Sequence, residues 1–329
     1  MKRFFFPLFV VFLFSFYLHY FYHSLYPPLP PPESPPLLYS TQYKTDLRLL
    51  FLHAIEQAES SIHLVMFGLT EPSILQALAK KAREEELRCS IYYDPTAAHR
   101  LRSYPPYFSV YPVVSQGLMH QKILVIDENL VFLGSANMTP TSLQMHDNLV
   151  LGMQSQKIAQ FLCDRTPQKS GSLKTRVGAQ EIELYLLPDP RGLALQAIKR
   201  RIAEARHSIK VAMFTLTHAG LVDALIDAQK RGVRVTISID RNARYGSSHK
   251  AIHKLESRGA TIVTSRGHPL MHHKFLLVDD RTLVLGSANW TKAAFYKNRD
   301  CFVVLPIMTP AQKTTISYLW KQLAQIPSS

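Results

Sequence analysis

The sequence repeats itself, and two copies of one pattern in a chain predict two copies of one folding unit. The first block reads IEQAESSIHLVMFGLT at residues 55–70 and returns as IAEARHSIKVAMFTLT at residues 202–217. The second block reads MHQKILVIDENLVFLGSANMT from residue 119 and returns as MHHKFLLVDDRTLVLGSANWT from residue 271. Because both blocks occur in the same order in each copy, we interpret the chain as the product of a duplication.

Each copy alternates two kinds of periodicity. Amphipathic helical patterns lead into strand-like apolar runs, two of which end at Asp94 and Asp240. This alternation predicts an α/β fold with a largely buried sheet in each copy. We expect the first copy to span residues 40–162 and the second to span residues 180–329, with a polar connector at residues 163–179.

The first 26 residues differ from the rest of the chain. Lys2 and Arg3 precede an aromatic and aliphatic run that extends to Tyr22. Such a run is long enough to cross most of a bilayer as a helix, and the leading basic residues favour export of the remainder of the chain. We therefore expect residues 1–26 to be a signal anchor or a cleaved signal peptide, with the catalytic part exported on the membrane or secreted. Residues 27–39 begin with seven prolines in ten positions and predict an extended linker.

The chain is basic, with a formal net charge of +14. A basic surface favours a polyanionic partner, which is either nucleic acid or an anionic membrane. The three cysteines are far apart and odd in number, so they predict neither a disulfide framework nor a cysteine metal site. Four further histidines show no spacing typical of metal ligands, so we expect no metal and no cofactor. These are His146, His249, His253 and His268.

The second block carries the candidate chemistry. In each copy a histidine and a lysine are two positions apart, as His120 and Lys122 and as His272 and Lys274. Because side chains two apart on a strand share a face, each copy presents an imidazole beside an ammonium group. A Gly-Ser-Ala-Asn segment comes next in both copies, and its polar side chains are candidates for binding substrate. They are Ser135, Asn137, Ser287 and Asn289.

Cleavage of a phosphodiester without a metal needs a nucleophile, a proton donor for the leaving alkoxide, and positive or hydrogen-bonding groups around the phosphoryl oxygens. The two copies together supply two imidazoles, two ammonium groups, two hydroxyls and two carboxamides. This set is sufficient only if both copies meet at one site. Since one chain links them covalently, we expect a monomer to be sufficient for catalysis.

The paired HxKxxxxD motifs and their GSxN continuations resemble the phospholipase D superfamily, and the resemblance covers nearly everything after Tyr39. The second copy looks most like the branch of small bacterial nucleases and mitochondrial cardiolipin hydrolases. The resemblance implies two αβα sandwich halves packed about a pseudo-twofold axis, with the site between them. It also implies a phosphohistidine on His120, with His272 as the acid, and a catalytic place for Asp127 and Asp279. Because each of these aspartates begins a turn, we favour a structural role for them despite their place in the motif.

Members of the superfamily usually carry a glutamate downstream of the GSxN segment that orients the catalytic histidine. This sequence instead offers Asp147 in MHDNLVL and Asp300 in NRDCFVVL. A shorter carboxylate can still fix the tautomer of an imidazole. We therefore expect Asp147 and Asp300 to be the orienting residues. A tyrosine-rich run at residues 104–111 lines a lipid or base pocket, or forms a packed loop.

Several functions fit this pattern. The first hypothesis is a phospholipase D that removes a headgroup from a phospholipid at a membrane. The alternatives are a metal-independent endonuclease, which acts on nucleic acid with the same residues, and a cardiolipin-synthase-type phosphatidyltransferase, which typically carries Thr instead of the Ser after the motif glycine. A binding module without activity is disfavoured, because both copies keep their His and Lys.

Overall fold

The computed structural model describes residues 26–43, 45–84, 87–98, 101, 109–266 and 269–324. Nearly all of the predicted membrane segment, most of the tyrosine-rich run and His268 lie outside these residues. Within the described ranges, none of the helices combines the length and the hydropathy required to cross a bilayer. The membrane segment at residues 1–26 therefore stays a prediction.

The first copy forms a seven-stranded mixed sheet flanked by helices. Its strands are β1 (Leu37–Ser40), β2 (Ser61–Met66), β3 (Arg88–Tyr93), β4 (Val110–Pro112), β5 (Lys122–Ile126), β6 (Leu130–Gly134) and β7 (Leu149–Gln154). They lie in the order β1-β7-β6-β5-β2-β3-β4, with β2 parallel to β3 and antiparallel to β5. The helices are α1 (Leu47–Glu56), α2 (Pro72–Lys81), α3 (Pro140–Gln144) and α4 (Gln156–Cys163).

The second copy forms an eight-stranded sheet with the same central arrangement. Its strands are β8 (Gly171–Val177), β9 (Gln180–Leu186), β10 (Ser208–Met213), β11 (Arg234–Ile239), β12 (Thr261–Thr264), β13 (Lys274–Val278), β14 (Thr282–Gly286) and β15 (Cys301–Leu305). They lie in the order β12-β11-β10-β13-β14-β15-β9-β8. The helices are α5 (Leu193–Glu204), α6 (Ala219–Lys230), α7 (Arg241–Tyr245), α8 (His249–Glu256), α9 (Lys292–Tyr296) and α10 (Pro310–Ala324).

The central strands are apolar on both faces because both faces are covered. In β5, Ile123 and Val125 enter a central core shared by the two sheets, whereas Leu124 and Ile126 enter the core beneath α1 and α2. Strand β13 divides its side chains in the same way. The two sheets therefore share one apolar layer, which also receives side chains of α4 and α10. The α/β class and the presence of one sheet per copy, both predicted from the sequence, are confirmed.

The edges of both copies differ from the prediction. Residues 37–39 belong to β1, which pairs antiparallel with β7, so the predicted linker at residues 27–39 extends too far. Strand β8 lies within the predicted connector at residues 163–179 and extends the second sheet by pairing with β9. Side chains of β8 alternate between partly buried and exposed, and this strand has no central apolar run. The polar composition that suggested a connector is that of a solvated edge strand.

The proline-rich segment is attached to the fold rather than held away from it. The Tyr39 hydroxyl donates to the Pro28 carbonyl at 2.7 Å. The side-chain amide of Gln154 donates to Pro30 at 2.8 Å, and that of Gln312 donates to Pro36 at 2.7 Å. Prolines lack an N–H group but keep a carbonyl acceptor, which is how this segment binds the domain. The predicted extended linker is therefore docked on the domain at these residues.

The glycine of each Gly-Ser-Ala-Asn segment lies where two strands approach closely. A Cβ atom at Gly134 would lie 2.3 Å from the carbonyl oxygen of Leu149. At the equivalent Gly286, a Cβ atom would lie 2.3 Å from the carbonyl oxygen of Cys301. Both contacts are with backbone, which cannot rotate away as a side chain can. The motif glycines are therefore required by the sheet, and this requirement is independent of any chemistry.

We expect Gly134→Ala to destabilise the protein by about 2 kcal/mol or more, because the new methyl group forces β6 and β7 apart. The matched control is Gly220→Ala in helix α6, where the added Cβ would make only a 3.4 Å contact with the His218 ring. This control should be neutral or slightly stabilising, since Ala has the higher helix propensity. Urea unfolding of both variants gives the comparison. Equal stabilities would show that β6 and β7 can separate without cost.

Candidate active site

The two histidines of the repeated motif lie immediately before the central strands β5 and β13. The backbone N–H of His120 donates to the carbonyl of Arg299 at 2.8 Å, and that of His272 donates to the carbonyl of Asp147 at 3.1 Å. Each histidine is thus held by the backbone of the other copy. Both residues are 7% exposed. The fold brings together two motifs that are 152 positions apart in the sequence.

Each imidazole is also oriented by a side chain from the other copy. The Nδ1 atom of His120 lies 2.8 Å from Oδ1 of Asp300, and that of His272 lies 3.0 Å from Oδ1 of Asn148. Since the two oxygens act as acceptors, both Nδ1 atoms carry the hydrogen and both Nε2 atoms are left for substrate. The pair is asymmetric, because one partner is a carboxylate and the other is an amide.

The structure does not place Asp147 in the orienting position predicted for it. Its equivalent in the second copy is Arg299, whereas Asn148 lies 152 positions before Asp300, the same separation as His120 and His272. Burial raises the pKa of the Asp147 carboxyl to about 7. The constant offset of the second block identifies Asn148 as the equivalent of Asp300, although its side chain is an amide and not the carboxylate that the resemblance predicts.

The motif serines hold the orienting residues. The Ser135 hydroxyl donates to Oδ1 of Asn148 at 2.9 Å, and the Ser287 hydroxyl donates to Oδ1 of Asp300 at 2.7 Å. Both hydroxyls also accept a backbone N–H from the next strand at 3.0 Å. The two serines are fully buried. The structure therefore gives them a positioning role in place of the direct substrate contact predicted from the sequence.

The motif asparagines differ between the copies. Oδ1 of Asn137 accepts the backbone N–H of Gly68 at 3.2 Å. The equivalent Oδ1 of Asn289 is buried and has no hydrogen-bond partner among the described residues. Both side chains are partly exposed, so their amide groups remain candidates for contact with a substrate.

The motif lysines are buried beside the histidines. Nζ of Lys122 donates to the carbonyl of His120 at 2.7 Å, and Nζ of Lys274 donates to that of His272 at 2.8 Å. Burial lowers the pKa of Lys122 to about 7, although Asp300 opposes the shift. Burial and the neighbouring Lys122 lower the pKa of Lys274 well below its usual value. The lowered pKa values mean that an anion is needed to hold both lysines as ammonium groups in this buried site.

The same environment acts on the histidines and on Asp300. Burial, followed by nearby lysines, lowers the pKa of both imidazoles, and for His120 the carboxylate of Asp300 partly opposes this. Burial alone would raise the pKa of Asp300, but His120 and Lys122 outweigh it and the pKa is lowered. Asp300 is therefore a carboxylate at neutral pH. A bound phosphodiester anion would raise the pKa of both histidines and allow one to carry a proton.

Two phenylalanine rings from the first repeated block lie beside the motif histidines. Phe67 lies with its ring 5.1 Å from that of His120, and Phe214 lies 5.2 Å from that of His272. Each phenylalanine also has the motif lysine of its own copy 5.1 Å from its ring. The sequence showed these two residues only as matching positions of the repeat. Their place beside the histidines depends on the pairing of β2 with β5 and of β10 with β13.

The motif aspartates lie at the far ends of their strands. Asp127 lies five positions after Lys122. In an extended strand this separates the two residues by about 16 Å. Its carboxylate accepts backbone N–H groups of residues 59–61, and that of Asp279 accepts those of residues 206–208. Both have a positive φ, 51° and 52°, which a turn tolerates in Asp. The catalytic place that the resemblance implied for these aspartates is corrected, and the structural role favoured from their position at a turn is the one that they have.

Both copies match one known protein family. The family model described as "Cardiolipin synthase, PLD-like domain" matches residues 51–165 and again residues 198–322. The chain belongs to the phospholipase D-like family. The two matches together cover most of the chain and correspond to the two copies recognised in the sequence.

Individual relatives match shorter parts of the chain. The human mitochondrial cardiolipin hydrolase is 35% identical over 127 residues, which are 36% of this chain and 49% of that protein. A phospholipase D of Rickettsia bellii is 30% identical over 108 residues, which are 33% of this chain and 53% of that protein. The chain thus spans about half the length of the curated relatives it matches.

One solved structure resembles nearly the whole fold. The phosphatidylserine synthase of Haemophilus influenzae aligns with a TM-score of 0.69 and covers 91% of this chain and 88% of its own, at 13% sequence identity. At that identity the likeness concerns the fold alone. It shows that two such copies in one chain are an established architecture.

We expect Asp279→Asn to lower the free energy of unfolding by roughly 1 kcal/mol, since a charged acceptor for three backbone N–H groups is lost. Turnover per folded molecule should change little. Against the effect of burial, the backbone N–H groups lower the pKa of the Asp279 carboxyl from 3.8. The carboxylate therefore stabilises the folded protein above that pH, and this contribution disappears as the pH falls through the folded-state pKa. The stability difference between variant and wild type should shrink in acid.

Asp300→Asn is the matched comparison, because it changes the same residue type at the site itself. The amide can still accept from His120 but cannot stabilise a cationic imidazole, so we expect turnover to fall about 100-fold or more. Circular dichroism should show an intact fold. Comparable activity losses in Asp279→Asn and Asp300→Asn would contradict the separate roles assigned to them.

The pKa of Lys122 also predicts a pH dependence. With a value of about 7 in the unliganded protein, its ammonium form declines as pH rises through neutrality. We expect kcat/KM, which reports on the free enzyme, to fall on the alkaline side near pH 7. The corresponding limb of kcat should lie at higher pH, because a bound phosphate anion stabilises the ammonium form. Coincident or flat profiles between about pH 6 and about pH 9 would exclude this role.

Proposed function

We propose that this chain hydrolyses the headgroup phosphodiester of a phospholipid, with His120 as the nucleophile and His272 as the general acid. The observation that carries the proposal is the pair of oriented imidazoles beside two buried lysines. Among the described residues, neither Nε2 atom has a hydrogen-bond partner. This is the inventory that phosphodiester cleavage requires. The family description and the names of the two relatives support a lipid substrate.

The asymmetry of the orienting residues supports the assignment of roles. A carboxylate such as Asp300 stabilises the positive charge that develops on His120 when its Nε2 atom bonds to phosphorus. The Asn148 amide stabilises the His272 imidazolium less, so His272 releases its proton more readily to a leaving alkoxide. The two histidines are thereby suited to different steps.

The reaction then proceeds in two displacements. In the first, His120 Nε2 attacks the phosphorus atom, the bond to the headgroup oxygen breaks, and His272 protonates that oxygen. In the second, His272 takes a proton from water, the resulting hydroxide attacks the phosphohistidine, and phosphatidate leaves with restoration of His120. Lys122 and Lys274 balance the charge of the non-bridging oxygens in both steps.

The location of the reaction is part of the same proposal. Residues 1–26 would hold the protein at a membrane, or direct its secretion if they are removed, with the catalytic part on the exported side. The basic charge of the chain supports attraction to an anionic lipid surface. The docked proline-rich segment would keep the two copies close to that surface.

The test uses the full chain in detergent micelles with cardiolipin, phosphatidylglycerol and single-stranded DNA, in the presence of EDTA. Among the described residues, no group of three His, Cys, Asp or Glu side chains is arranged to bind a metal ion. We expect metal-independent release of phosphatidyl products from lipid and a trapped phosphoryl group on His120.

His120→Asn and His272→Asn should each abolish turnover, while the control variant His253→Asn, at an exposed position, retains it. Cleavage of DNA without cleavage of lipid would replace the proposal with nuclease activity.

A further inference from the structure

A further position that borders the site differs between the two copies. His146 of the first copy corresponds to Asn298 of the second, at the offset that relates the two motifs. The backbone at both positions is held in the same way, because each N–H donates to the carbonyl of the residue five positions earlier, at 3.0 Å from His146 and 2.8 Å from Asn298. The local fold is therefore the same, and the difference lies in the side chains.

In the second copy this side chain serves the fold. Oδ1 of Asn298 accepts the backbone N–H of Leu118 at 3.1 Å. In the first copy the fold uses only the backbone of His146, whose carbonyl accepts from the Thr41 hydroxyl at 2.9 Å and from the Asn148 amide at 3.4 Å. The imidazole of His146 has no hydrogen-bond partner among the described residues. Its ring is not needed to hold the loop.

The free ring faces the active site. Its centroid lies 6.2 Å from that of His272, with the two planes inclined at 54°. The residue is half-buried. The charged groups that act on it are Lys274 and Asp240, and burial together with Lys274 lowers its pKa. At neutral pH the ring is therefore a neutral imidazole, with one hydrogen-bond donor and one acceptor.

We propose that His146 is a specificity residue that binds a hydroxyl group of the leaving alcohol. This inference rests on the proposed function, in which His272 protonates the leaving oxygen, so that the headgroup must pass on the His272 side of the phosphate. A neutral imidazole can both donate to and accept from a hydroxyl. The nearby Lys274 disfavours a cationic headgroup at the same place. The favoured class is a polyhydroxyl alcohol such as glycerol.

The experiment compares phospholipids that share their phosphatidyl half and differ only in the leaving alcohol. Phosphatidylglycerol offers free hydroxyls, phosphatidylethanol offers none, and phosphatidylcholine offers a cation. In His146→Phe, which keeps a ring but has no hydrogen-bonding atom, the ratio of kcat/KM for phosphatidylglycerol to that for phosphatidylethanol should fall about tenfold, as expected for a lost hydrogen bond. The preference for phosphatidylglycerol over phosphatidylcholine should fall with it. His253→Asn, on the exposed face of helix α8, should keep the wild-type ratios.

The outcomes separate the two proposals. An equal loss on all three lipids would overturn the specificity role, because it would assign His146 to the general chemistry or to folding. A phosphoryl group trapped on His272 would also overturn it, since the alcohol would then leave on the other side, while phosphodiesterase activity itself would stand. Failure of the wild-type protein to release product from any lipid would instead refute the proposed function, and the inference with it.

Discussion

The site depends on a reciprocal exchange of hydrogen bonds between the two copies. His120 is held by the backbone and by a carboxylate of the second copy, and His272 is held by the backbone and by an amide of the first. Such an exchange is what a twofold contact produces, because each surface donates what it also receives. Here the two surfaces belong to one chain. Neither copy alone can fix the orientation of its own motif histidine.

The central apolar layer makes this exchange possible and also makes it costly. The two sheets exclude water from the ends of β5 and β13, where two lysines and two histidines are almost completely buried. Burial of several basic groups destabilises the folded protein unless an anion accompanies them. Asp300 supplies only part of that charge. An anion that entered the site would offset this cost, because it would pair with the buried basic groups.

Local sequence patterns predicted the features of the structure that depend on local interactions. The alternation of apolar runs predicted one sheet per copy, and the spacing of His120 and Lys122 predicted that they share a face. The pattern failed where contacts cross between the copies or between strands. Only the offset between the copies distinguishes Asn148 from Asp147 as the partner of His272, and no local pattern shows that Ser287 donates to Asp300 rather than to substrate. Edge strands such as β8 were missed because half of their side chains face solvent and resemble a loop. The membrane segment lies outside the described residues, so the structure does not test its prediction.

The exchange of partners also governs when the protein becomes active during its synthesis. Asp300 is made 180 residues after His120, and a growing chain folds from its N-terminal part first. A nascent first copy can complete β5, β6 and β7 and still lack the carboxylate that orients His120. The two motif histidines therefore cannot be brought into one site until the second copy has been built and docked. Duplication within one chain thus makes assembly of this site a late step of biosynthesis.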